Sequence, residues 1–331
     1  MRISITISIY LCTATYNRSW QANKLTEATT GSVLFGGIDT ARYTGNLIAV
    51  DVYHPPDQDA TSFTVAFTSL SATSSSGSDQ LTPSGYAEAA ILDSGTTITL
   101  LPDDVIDSVY AELGATLSQE LGGAIVPCSL SSNTGTLNYG FGGPGGPVIK
   151  VAMSQLVLPL GSVAGGIPTY SNGETICQLG IQAAGQMPVL FGDTFLRSAY
   201  VVYDLDNNQI ALAQTDFNAT DSNIVAFPSL GAAIPSASVA PSQVGVTPTA
   251  TGLPRATVPA TLTGSGAQTY NPTAGASLSA ASGFQSSSSS PSGRQNGAAT
   301  PGARPFWGAE VVVLGVMGAG AMVGMGGFAL L

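Results

Sequence analysis

Between residues 31 and 217 the chain alternates short apolar runs with clusters of Gly, Pro, Ser and Asn. Runs of four to eight residues bounded by turn formers are the pattern of a β-rich domain. Runs at 32–35, 47–52, 63–67, 98–101, 148–153, 189–191 and 199–203 are read as strands. One segment has a different period. Pro102 is followed by Asp103 and Asp104, and then Val105, Ile106, Val109, Tyr110 and Leu113 fall on one helical face before Gly114. Pro at the start, acids in the first turn and Gly after the last apolar residue are helix boundary signals with physical causes. A helix is predicted there. Near the start, Ile3, Ile5, Ile7 and Ile9 alternate with Ser and Thr. Period two fits a strand. Arg2, the apolar run and the small pair Thr13-Ala14 also fit a short secretory signal. Both readings of this atypical segment, 1–30, stay open.

The pattern stops after residue 217. Residues 218–310 form a tail, and its stretch 228–305 has no Asp, Glu or Lys and a run of serines at 286–290. Such a composition cannot bury enough apolar surface to offset chain entropy. It predicts a disordered stalk, of the Ser/Thr/Pro-rich kind that carries O-linked sugars. Residues 311–331 are apolar throughout, long enough to span a bilayer. The small triplet Asn296-Gly297-Ala298 and a polar spacer precede them. In that order the parts make a glycosylphosphatidylinositol attachment signal with Asn296 as acceptor. A plain membrane anchor is the alternative.

Charge narrows the function classes. The net charge is -11, and Lys24 and Lys150 are the only lysines. Nothing could neutralise a phosphate backbone, so nucleic acid is excluded as a partner. An acidic, lysine-poor surface suits a secreted protein working at low pH. His54, the single histidine, precedes Pro55-Pro56. It reads as a solvated loop residue, and neither a metal site nor a cofactor is expected. The glycine doublets at 142–143 and 145–146 lie among prolines rather than between a strand and a helix, so they are loops and not phosphate cradles. Asn17 and Asn218 head N-glycosylation triplets, and Asn218 at the tail boundary is the better candidate.

Candidate chemistry centres on Ala89-Ala90-Ile91-Leu92-Asp93-Ser94-Gly95-Thr96-Thr97. An apolar strand delivers a carboxylate to a tight turn that Gly95 eases. Thr96 and Thr97 place hydroxyls within reach of that carboxylate, and Ser94 points a further one away. Alone, the tetrapeptide reads as an exposed Asx-turn.

Context changes that reading. The segment resembles the second active-site motif of the pepsin-like aspartic protease family. Val33-Leu34-Phe35-Gly36-Gly37-Ile38-Asp39 with Tyr43–Leu47 resembles the strands that open the family's C-terminal lobe. Val189-Leu190-Phe191-Gly192 through Tyr203-Asp204 resembles its closing segment. Cys128 and Cys177 fall where the family has a disulfide within the lobe, and Cys12 is left over. The resemblance covers residues 31–217. It implies an all-β fold, β-rich with short helices: one lobe of the bilobal pepsin-like acid protease, followed by the stalk. It implies Asp93 as a catalytic carboxylate supported by Ser94, Gly95, Thr96 and Thr97, acting on peptide or protein substrates. With the tail, the whole is similar to yapsin-type cell-surface proteases of fungi, which implies the secretory pathway and attachment to the plasma membrane or cell wall.

One departure bears on activity. The family uses two aspartates that share a proton, one acting as base and one as acid. No second Asp-Thr-Gly or Asp-Ser-Gly occurs: Asp39-Thr40 is followed by Ala41, and Asp193-Thr194 by Phe195. The expectation is a truncated chain that carries one catalytic aspartate and needs a second lobe, or a second copy of itself, for activity. The competing readings are a cell-wall glycoprotein without activity and a homodimeric protease.

Overall fold

A computed structural model describes residues 6–12, 30–54, 62–160, 166–248 and 278–285. Each apolar run read above lies in or overlaps a strand. Thr6–Cys12 is a strand too. It pairs antiparallel with Ala199–Asp204 on one side and Thr30–Phe35 on the other, Ile7 standing opposite Tyr203 and Phe35. The described part of the period-two stretch, from Thr6, is therefore realised as sheet.

Two large sheets organise the lobe. The first has six strands, in the order Thr30–Phe35, Thr6–Cys12, Ala199–Asp204, Gln209–Thr215, Tyr43–Asp51 and Ala237–Val239. The second has eight. Its main path runs from Val148–Ala152 through Thr136–Phe141, Thr64–Ser74, Glu88–Leu92, Val189–Phe191 and Thr99–Leu101 to Ile181–Ala183, with Gly77–Gln80 folded back on Thr64–Ser74. A smaller four-stranded sheet holds Gly123–Pro127 and Ile176–Leu179. The main core draws side chains from all three. At its centre Phe67, Tyr139, Phe141, Phe191 and Phe195 are fully buried, with neighbouring rings 4.7–6.2 Å apart at tilted or edge-on angles. Each such side chain contributes about 1.5–3 kcal/mol by leaving water. Phe191 sits in this cluster one residue before Gly192, so the core fixes the segment that supports the site.

The helix forms as predicted, over Asp103–Leu113. Pro102 precedes it, and Gly114 ends it at φ 66°, the left-handed value that glycine tolerates best. The expected apolar face is buried, together with Glu112, which the pattern did not include.

The tail departs from expectation. A disordered stalk from residue 218 onward is corrected for two stretches. Ile224–Ala226 pairs with Gly37–Asp39, and Ala237–Val239 pairs in parallel with Leu47–Ala49. Between them Ile234 is buried in a second core with Ile38, Leu47, Ala49, Tyr200 and Val202. This part of the tail covers the face of the six-stranded sheet turned away from the main core. Farther on, Ala280, Ala281 and Phe284 are buried against the lobe. Backbone pairing needs no side-chain pattern, so low-complexity sequence can add strands where an open sheet edge receives them. The tail 311–331, the Asn296 triplet and Asn17 lie outside the described residues. Among the described residues no helix is long and apolar enough to cross a membrane.

Candidate active site

Asp93 stands at the end of Glu88–Leu92, and the chain returns into the same sheet as Thr99–Leu101. Val189–Phe191 lies between these two strands, parallel to the first and antiparallel to the second. Leu92 registers with Phe191. The loop 93–98 is thus held at both ends by one inserted strand. Main-chain bonds continue the grip: Asp93 N–H donates to the Phe191 carbonyl at 3.0 Å, Asp193 N–H to Thr96 at 2.8 Å, and Thr194 N–H to Thr97 at 3.2 Å.

Gly192 makes this approach possible. A Cβ there would lie 2.2 Å from the Thr96 carbonyl oxygen and 2.4 Å from that of Ile98. Both obstacles are backbone and cannot swing aside. Below the loop, Thr194 donates to the Gly180 carbonyl at 2.9 Å and accepts from the Thr99 hydroxyl at 3.0 Å. Thr194 and Thr99 are fully buried and the third group is main chain, so these bonds are shielded from water. Sequence reading passed over Thr194. Its only signal was its place directly after the apolar-apolar-Gly-Asp run.

The carboxylate itself is oriented by two donors, one on each oxygen. Gly95 N–H donates to Oδ1 at 2.9 Å, and the Thr96 hydroxyl donates to Oδ2 at 2.6 Å. Charge-assisted bonds of this length are among the stronger ones. Asp93 stays partly exposed, with Ser94, Gly95 and Thr97 exposed beside it. Each oxygen has a further acceptor position beside its one donor, so the partly exposed group can accept from a water. Two details correct the reading of the motif. Gly95 is not among the left-handed glycines of the described residues; its contribution is an N–H. Thr97 is tied in through its carbonyl, and among the described hydrogen bonds none joins its hydroxyl to Asp93.

Asp193 is a second acid near the loop. Burial raises its pKa, the Arg197 guanidinium draws it back down, and the charge of Asp93 raises it again, leaving it above the ordinary value. Asp39, the other Asp-Thr pair, plays a different part. It accepts from the Ser222 hydroxyl and Asn223 N–H, each at 2.7 Å, from Ala41 N–H at 3.1 Å and from Arg42 Nε at 3.3 Å. Burial works to raise its pKa, and these donors together hold it below the usual carboxylate range. With every oxygen engaged, Asp39 is a structural clasp between residues 39–42 and 222–223. His54 is exposed, and no cluster of metal-ligating side chains occurs among the described residues.

Cys128 and Cys177 are joined, with Cα atoms 4.9 Å apart, and both are buried. The bridge ties the turn at Cys128–Ser132 to the strand Ile176–Leu179. Asn218 is exposed.

The Asp-Ser-Gly-Thr loop is borne on a strand and clamped by an apolar-apolar-Gly strand inside one β-rich lobe. The model of the family described as eukaryotic aspartyl protease matches residues 15–215. The chain belongs to that family. A probable aspartic-type endopeptidase, opsB of Aspergillus oryzae, is 40% identical over 199 residues, covering 60% of this chain and 39% of that protein. Its counterpart OPSB of Arthroderma benhamiae is 40% identical over 231 residues, 69% of this chain and 46% of the relative. Secreted aspartic protease 9 of Candida albicans is 34% identical over 200 residues, 59% and 34% of the two chains. The chain therefore spans less than half the length of these family members.

Proposed function

We propose that Asp93 is one carboxylate of the acid–base pair of an aspartic endopeptidase. The observation that carries this reading is the cradle of Asp93. One donor on each oxygen fixes the carboxylate plane while one side stays open to solvent. A carboxylate buried for structure has its oxygens saturated, as Asp39 does; one kept for proton transfer does not.

The chemistry needs a partner. Peptide hydrolysis requires a base for the attacking water and an acid for the scissile carbonyl in one transition state. A single carboxylate can be either, but not both at once. The chain carries no second Asp-Thr-Gly or Asp-Ser-Gly, so the partner comes from a second lobe or from another copy of this chain. Substrates are peptides or proteins, and no cofactor takes part. The joined Cys128 and Cys177 favour an oxidising compartment, and the secreted relative supports the secretory pathway. The terminal apolar stretch with Asn296 before it supports attachment to the cell surface through a lipid.

Peptide cleavage in acid tests this. The chain alone is expected to be inert, and supplying a first lobe with its own Asp-Thr-Gly restores pepstatin-sensitive cleavage. Asp93→Asn then abolishes it. Cleavage by the chain alone, rising with the square of its concentration, would replace the two-lobe reading by a homodimer. A folded two-lobe protein without activity would refute the protease assignment.

A further inference from the structure

The octapeptide Leu278–Gln285, an island in the Ser-rich tail, is seated on the lobe. Its floor is the hairpin of Thr64–Ser74 and Gly77–Gln80, the helix Asp103–Leu113 and the turn at 133–135. Phe284 is 2% exposed and belongs to the main core, as does Ala280. The backbone is held at three points. Ala280 N–H donates to Asp79 Oδ2 at 2.6 Å, the Ser74 hydroxyl donates to the Ala280 carbonyl at 2.7 Å, and Asn133 Nδ2 donates to the Gly283 carbonyl at 2.7 Å. Both surfaces are shaped for contact. A Cβ on Gly135 would lie 2.3 Å from the Phe284 ring, and one on Gly283 would lie 2.2 Å from the Ser74 hydroxyl.

A carboxyl pair lies in the same place. Glu112, on the helix beneath the segment, is 0% exposed. No N–H or O–H donor reaches either of its oxygens among the described residues. It faces Asp79, the residue that holds Ala280. Two carboxylates facing each other repel, and a proton on one removes that repulsion. The other acids on the helix, Asp103, Asp104 and Asp107, are exposed. The hairpin, the helix, the 133–135 turn and the octapeptide contain no Lys, Arg or His. No cation in these elements offsets the pair.

We propose that residues 278–285 are an intramolecular anchor that clips the tail to the lobe, and that the anchor is acid-stabilised because it closes over the Glu112–Asp79 carboxyl pair. Burial, then the charge of Asp79, push Glu112 up to about 7 from its ordinary 4.5. A raised carboxyl pKa means that the closed form binds the extra proton. Closure is complete below about 4.5 and weakens as pH climbs toward about 7, by at most roughly tenfold per pH unit. Residues 278–285 thus stay on the lobe in acid and are released near neutrality.

Hydrogen exchange on the full chain tests the anchor. Protection of the 278–285 backbone is read at about pH 4.5 and about pH 7.5, corrected for intrinsic rates, with strand Thr136–Phe141 as internal control. The wild type is expected to be protected in acid and to lose tenfold or more of that protection at the higher pH. Glu112→Gln keeps the shape without the titration, and is expected to be protected at both. Phe284→Ala is expected to lose protection at both while the control strand keeps its own. Should that variant also lose the control, Gly283→Ala leaves every lobe side chain in place and carries the same expectation. A segment unprotected in acid overturns the anchor. Equal wild-type protection at both pH values, or a Glu112→Gln profile that still follows the wild type, overturns its control by the carboxyl pair.

Discussion

At the scale of single residues, the candidate site depends on who donates to Asp93. Removing the Thr96 hydroxyl by Thr96→Val deletes the 2.6 Å bond to Oδ2 and leaves the chain path unchanged. A hydrogen bond to a charged group contributes about 1.5–3 kcal/mol. In the two-lobe enzyme kcat is therefore expected to fall about tenfold to a hundredfold, with little change in KM, measured on a peptide in acid. An unaltered kcat would show that Thr96 does not orient the reacting carboxylate. Thr97→Val serves as the contrast and should change kcat far less, because Thr97 contributes a carbonyl. Asp93, Gly95 and Thr96 were legible in the sequence because the motif is local: donor and acceptor stand within three residues. Glu112 was not. Its neighbours across space, Asp79 and the octapeptide, lie 33 residues before it and some 170 after it. In a helical pattern a lone Glu among apolar positions reads as a face boundary.

Elements place those residues, and two substitutions probe how. Gly192→Ala sets a methyl against two carbonyl oxygens, at 2.2 and 2.4 Å from its Cβ. The strand Val189–Phe191 or the loop 93–98 must then shift, at a cost of about 1–3 kcal/mol as for other overpacked sites. Denaturant unfolding reads the loss, and activity of the two-lobe enzyme should drop further than stability alone explains. Asp39 tests the clasp between Gly37–Asp39 and Ile224–Ala226. Its pKa is lowered in the fold, so its contribution is present above the ordinary value of 3.8 and lost as pH falls through the lower folded value. Asp39→Ala is expected to cost about 1–3 kcal/mol at about pH 6 and progressively less below pH 3.8. A deficit that stays constant with pH would mean that the carboxylate charge is not what holds the clasp. The helix and the long strands announced themselves, through caps for one and through apolar runs for the others. The three-residue strands at 224–226 and 237–239 did not. They are fixed by main-chain bonds to edges built elsewhere, and Ala, Ser and Val serve that purpose without any period.

At the scale of the whole molecule, the question is where the folded unit ends and what keeps it closed. The bridge Cys128–Cys177 spans 49 residues, and closing a loop of that length in the unfolded chain stabilises the fold by about 4 kcal/mol. Replacing both by Ser should lower the unfolding free energy by an amount of that order. The sequence placed the C-terminal limit at 217, where charge and large apolar residues thin out. The structure carries it at least to Val244. Ala240 N–H donates to the Ala49 carbonyl at 2.9 Å, Gln243 accepts from Asp51 N–H at 2.7 Å, and Tyr53 donates to the Val244 carbonyl at 2.9 Å. Ile234, with Val225, Phe227 and Ala237, shields Leu47, Ala49, Tyr200 and Val202. A chain ended at 217 leaves that sheet face bare. Reexposing Ile234's partners and the other covered side chains costs about 1.5–3 kcal/mol for each large one, and a contiguous apolar patch promotes association. The chain ended at 217 is therefore expected to unfold at lower denaturant than the chain ended at 248, and to bind more hydrophobic dye and self-associate more, since both lack residues 278–285 and only the first also bares this sheet face. If the two unfold together and bind dye equally, residues 218–248 are an appendage and the boundary at 217 stands.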